Sequence, residues 1–178
     1  MVIPYPAPVE HDFVVKDFSF ANGQRLGELK LHCTTVGEPI RNPKTGKVDN
    51  AILVMHGTGG NSHSLLAPSF ADVLYSPGGL LDAAKYYIIL PDAIGHGHSS
   101  KPSDGLHAKF PNYRYTDIVR AQHSLVFELL KVDHLRLVIG TSMGGMQTWM
   151  WGEMYPEAMD ALMPLACAPI EIAGRNRM

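Results

Sequence analysis

The chain has 178 residues, 46% hydrophobic and 18% charged, with a formal charge of -2 at neutral pH, which fits one ordinary folded unit and excludes a disordered or membrane segment. No run of Lys or Arg occurs, so the basic footprint of a nucleic-acid or anionic-lipid binder is missing and a small-molecule partner is expected. No apolar stretch reaches the roughly 18 residues that a membrane span needs, and Met1–Glu10 lacks the charged start and apolar core of a signal peptide. Cys33 and Cys167 each fall in a stretch that reads as a buried strand, so both are expected as core thiols rather than a disulfide.

In chain order, residues 1–11 are expected as an extended arm, because three prolines in Val2–Val9 bar a central strand or a helix. Residues 12–178 then form the core unit. Asp12–Phe20 alternates apolar and polar residues, Ala21-Asn22-Gly23 supplies a turn, and Leu26–Val36 resumes the strand pattern, which together read as a β-hairpin. Glu38–Lys47 follows as a surface loop. From Ala51 the pattern changes to short uninterrupted apolar runs: Ala51–Met55, Tyr86–Leu90, Leu135–Ile139 and Ala161–Ala166. Such runs mark parallel strands buried on both faces. Thr116–Leu130 carries apolar residues at spacings of three and four behind a Thr-Asp start, which predicts a helix. Alternating strands and helices predict a mostly parallel, doubly wound α/β sheet.

Chemistry concentrates at Leu135–Gly145, where an apolar strand runs into Gly140-Thr141-Ser142-Met143-Gly144, followed by Met146–Tyr155, which suits a helix. A G-x-S-x-G between strand and helix is a nucleophile elbow. The turn is so sharp that side chains two before and two after the serine would collide, and Gly140 and Gly144 remove them. The hydroxyl of Ser142 is then presented at a helix N-terminus, whose unpaired N–H groups and partial positive charge favour an oxyanion. A second loop, His56-Gly57-Thr58-Gly59-Gly60, leaves the first buried strand. The oxyanion hole is assigned to the backbone N–H groups of Met143 and Thr58, with Gly59 as the alternative donor and Gly57 and Gly59 letting the main chain approach a ligand. His56, at a strand end, is expected in a structural hydrogen bond rather than as a base. His96 and His98 stand two apart in a loop and point apart, so no metal site is expected. Their loop is shaped instead by Asp92 bonding nearby backbone. Among Met143, Met146, Met150, Met154, Met159, Trp149 and Trp151, only Met143 is tied to the site by the motif, the others reading mainly as core or interface filling.

The segment Gly140–Gln147 with Tyr155-Pro156-Glu157, and Phe110-Pro111 upstream of Asp117–Gln122, resembles the homoserine O-acetyltransferase-like branch of the α/β-hydrolase superfamily over nearly all of the chain after the arm. The resemblance implies an α/β-hydrolase fold in which Ser142 is acylated and the acyl group passes to homoserine or to water. The His56–Gly60 loop departs from the acetyltransferase pattern toward the general hydrolase one. In this superfamily the triad runs serine, acid, histidine, yet all nine histidines precede Ser142. The remaining strands, the lid, the acid and the histidine are therefore expected on a segment beyond Met178 or on a companion polypeptide. The first expected function is a serine hydrolase of carboxylic esters. The alternatives are an acyl-CoA-dependent O-acyltransferase, with acetyl-CoA as co-substrate, and a catalytically silent binding module. No metal or organic cofactor is implied, and self-association is left open.

Overall fold

The structure is a computed structural model that describes residues 4–170. Six strands form one sheet: β1 (Val9–Ser19), β2 (Arg25–Val36), β3 (Ala51–Met55), β4 (Tyr87–Pro91), β5 (Leu135–Thr141) and β6 (Leu162–Leu165), in the order β1-β2-β4-β3-β5-β6. β1 and β2 make the expected antiparallel hairpin, with Val9 opposite Thr35 and Ser19 opposite Arg25. It adds antiparallel to β4, while β4, β3, β5 and β6 are mutually parallel. The hairpin begins at Val9, inside the stretch read as an arm, because the proline run stops at Pro8 and each later residue can donate to the ladder. Tyr5 of that stretch is buried edge-on against Tyr75.

Every residue of β3 and β4 is buried, with alternate side chains entering different cores. Leu53, Met55 and Ile89 face one cluster with α2 (Tyr115–His123) and α3 (Met143–Met154). Ile52, Val54, Ile88 and Leu90 face the other, beneath α1 (Pro68–Leu74) and Tyr75. Burial on both faces explains why the strand sequences are apolar without alternation. The single helix predicted over Thr116–Leu130 is α2 followed by a π-helical stretch, Ser124–Leu129, closed by the Leu130 amide on the Leu125 carbonyl. Asp117, 1% exposed, fixes the start of α2 by accepting from the Ala21 amide at 2.7 Å and the Arg114 amide at 3.0 Å, so the hairpin turn and the helix share one carboxylate. Cys167 lies past the end of β6 rather than inside a strand; both cysteines are free thiols.

β5 passes directly into α3, which starts at Met143 rather than Met146. A Cβ at Gly140 would stand 2.3 Å from the carbonyl carbon and oxygen of Gly144, and one at Gly144 would stand 2.5 Å from the Met55 carbonyl oxygen. Both obstacles are backbone and have no rotamer with which to yield. Gly144→Ala is therefore expected to cost about 3 kcal/mol or more through overpacking, read as a lower midpoint of denaturant unfolding at unchanged slope; a midpoint equal to that of the parent would show that the turn can open.

Candidate active site

Pairing of Leu53 with Ile89 and of Met55 with Gly140 brings the chain ends of β3, β4 and β5 to one rim of the sheet. Three loops leave there. Ser142 sits between β5 and α3 with φ 56° and ψ -113°, a conformation that costs an L-residue of order 1–3 kcal/mol and persists only where the surroundings over-determine it. Those surroundings are the crowded Gly140 and Gly144 and two backbone bonds: the Ser142 amide donates to the Leu165 carbonyl at 2.9 Å, and its carbonyl accepts from the Met146 amide at 3.0 Å. The residue itself is exposed.

Met143, the first residue of the twelve-residue helix α3, is buried beside it. Its amide belongs to the first helical turn, which has no intrahelical acceptors. The loop after β3 runs past on the other side: a Cβ at Gly57 would lie 3.6 Å from the Ser142 Cβ. Thr58 and Gly59 are exposed, and among the described residues neither of their amides has an intramolecular acceptor. Gly59 has open space where a Cβ would stand, whereas Gly60, not singled out from the sequence, is the crowded one, since a Cβ there would lie 2.7 Å from the Ser64 hydroxyl.

His56 is 2% exposed and both its ring nitrogens are engaged. The Ala93 amide donates to Nε2 at 3.1 Å, so the proton resides on Nδ1, which donates to the Gly57 carbonyl at 2.8 Å. Burial pushes its pKa below the usual histidine range, the Gly57 bond opposing and the nearby His96 adding to the effect. A neutral ring with no spare nitrogen is structural. His96 donates from Nε2 to the Thr58 carbonyl at 2.9 Å, and the His98 ring instead faces His32 and His63. Asp92 shapes this loop by accepting from the Ser62 amide at 2.6 Å and the His98 amide at 2.7 Å. Among the described residues, no three His, Cys, Asp or Glu side chains are grouped as metal ligands, and no helix is long and apolar enough to cross a membrane.

A cleft of about 650 Å³ opens beside Met143. Met146, Met150 and Trp149 line it, whereas Trp151 is fully buried and donates from Nε1 to Gln122, which in turn donates to Gln147. Tyr113, Arg114 and Glu153 also line the cleft and were missed in the sequence, where nothing local marks them as meeting at one cleft beside Met143. No histidine among the described residues bonds Ser142: His123 stacks on Tyr155 with ring centres 4.0 Å apart, and His32 and His134 are held by Asp12 and Asp160.

Residues 50–171 match the alpha/beta hydrolase fold family. The chain is 33% identical over 154 residues to a probable acyltransferase of Methanothermobacter thermautotrophicus, covering 86% of this chain and 46% of the relative. It is 34% identical over 171 residues to a homoserine O-acetyltransferase of Moorella thermoacetica, covering 85% and 44%. Among solved structures, an acetylester hydrolase from Corynebacterium glutamicum superposes with a TM-score of 0.74 at 26% identity, covering 90% of this chain and 44% of that one. The chain thus spans less than half the length of these relatives. With an elbow between β5 and α3, a parallel sheet buried on both faces and a family match over most of its residues, the chain belongs to the alpha/beta hydrolase fold family.

Proposed function

We propose that the chain carries the nucleophile of a serine acyl-transfer enzyme whose reaction is the hydrolysis of carboxylic esters. The observation that carries this reading is Ser142 itself, exposed at the sheet rim in a strained conformation beside the free end of α3. In this reading Ser142 Oγ attacks the ester carbonyl carbon while a base takes its proton. The amides of Met143 and of Thr58, or of Gly59 beside it, hold the resulting oxyanion. Collapse breaks the bond to the alcohol, which leaves with the proton, and water repeats the sequence in reverse to free the acid and Ser142. The base and its acid partner come from outside the described residues, on a following segment or a companion polypeptide. The His56–Gly60 loop and the structural likeness to an acetylester hydrolase favour water as the acceptor.

A second reading, an O-acyltransferase taking its acyl group from acetyl-CoA, is favoured by the relatives named homoserine O-acetyltransferase. Both share acyl-Ser142. They part at the acceptor: a hydrolase releases acetate from a simple acetate ester at a rate indifferent to homoserine, whereas a transferase consumes acetyl-CoA only with homoserine present.

Two outcomes test the shared step. A fluorophosphonate is expected to add one adduct at Ser142, seen by peptide mass, and Ser142→Ala is expected to lower turnover at least about 1,000-fold with the fold retained. An unmodified Ser142 in the intact protein would leave a hydrolase-fold binding module instead. Stability tests the strain at the elbow. Ser142→Gly removes the positive-φ strain at the cost of chain entropy, so it should be more stable than Ser142→Ala by about 1 kcal/mol, measured by denaturant unfolding of the two variants; the reverse order would mean that the elbow is not strained.

A further inference from the structure

We propose that His56 and His96 are positioning residues that aim the amides of the oxyanion loop, each by gripping the carbonyl on the opposite side of one peptide plane. The inference rests on Ser142 being the acyl-transfer nucleophile. In a planar trans peptide the C=O of one residue and the N–H of the next point in opposite directions, so fixing the oxygen fixes the amide. The Gly57 carbonyl, which shares its plane with the Thr58 amide, accepts from His56 Nδ1 at 2.8 Å and from the Gly60 amide at 2.9 Å. The Thr58 carbonyl, which shares its plane with the Gly59 amide, accepts from His96 Nε2 at 2.9 Å. Each candidate donor on the loop is thereby held from behind by one imidazole.

The two histidines also tie their loops together in both directions. His56 lies at the root of the oxyanion loop and receives the Ala93 amide from the loop after β4 at 3.1 Å. His96 belongs to that second loop and donates back to Thr58. Their ring centres are 5.1 Å apart, and the second loop is anchored by Asp92 bonding to the Ser62 and His98 amides. Thr58 and Gly59 are exposed and sit on no helix or strand, so nothing in regular secondary structure orients them. Preorganised donors are effective only when aimed before the charge develops, and these bonds supply that aim.

The test is placed on His96, which is only partly buried and whose replacement leaves the core untouched; His56 is too deeply buried for its loss to be separated from folding. In the intact protein, His96→Leu removes the donor, and His96→Gln keeps an N–H at the position of Nε2. For an acetate ester, His96→Leu is expected to lower kcat about 10- to 100-fold, short of the roughly 100- to 1,000-fold that follows loss of a whole oxyanion donor, with KM within about threefold. Affinity for a boronic acid, whose adduct on Ser142 places an anionic oxygen in the hole, should fall in parallel. His96→Gln should restore most of both. A kcat for His96→Leu within twofold of the parent, or a His96→Gln variant as poor as His96→Leu, would overturn the positioning role while Ser142 still takes up the fluorophosphonate. A parent protein whose Ser142 takes up neither probe would overturn the acyl-transfer reading and this inference together.

Discussion

Backbone meets backbone at the junction of β3, β5 and α3. Gly140 lies against Gly144, and Gly144 lies against the carbonyls of Met55 and His56. Because no side chain separates them, α3 can start within two residues of the end of β5 and seat its first turn on the end of β3. That contact decides where the elbow sits. It brings the Ser142 hydroxyl, the Met143 amide and the Gly57–Thr58 stretch to one place, although they are drawn from segments about 85 residues apart in the chain. Other features of the site either follow from this approach or stabilise it.

The strain at Ser142 needs a rigid support, and the sheet supplies it. β3 and β4 contribute side chains to two separate clusters, so a shift of either strand would disturb packing on both faces. On the face that carries α3, the chain of hydrogen bonds from Trp151 through Gln122 to Gln147 links α2 and α3 inside the core. A buried polar pair of this kind is stable only when its members meet in one geometry, which fixes the rotation of α3 relative to α2 in a way that apolar contact alone would not. The elbow is held by the sheet below and by a located helix behind.

The central strands, the hairpin, α2 and the elbow were legible because each rests on a local signal: an unbroken apolar run, a Gly-containing turn, a 3.6-residue periodicity, or a glycine-flanked serine. α1 was not, since it has seven residues with only Ala71 buried and carries no periodic stripe. The π-helical stretch after His123 escaped for a related reason, as one extra residue per turn shifts side chains without altering the apolar composition. Within the site, the serine and its glycines could be named from spacing alone, whereas the part played by His96 could not. Its partner, the Thr58 carbonyl, lies 38 residues away and is a main-chain atom whose direction no residue type announces.

The loops that carry Thr58, Asp92 and Ser142 leave β3, β4 and β5 at one rim, and the starts of those three strands lie at the other end of the sheet. The register of β3 and β4 is set by residues that do not line the cleft. Sequence change at exposed rim positions such as Thr58 and Gly59 therefore draws little on folding stability, unlike change at the crowded Gly144. A lineage built on such a sheet can drift between acceptors, water in one descendant and an amino-acid hydroxyl in another, without first evolving a new way to fold.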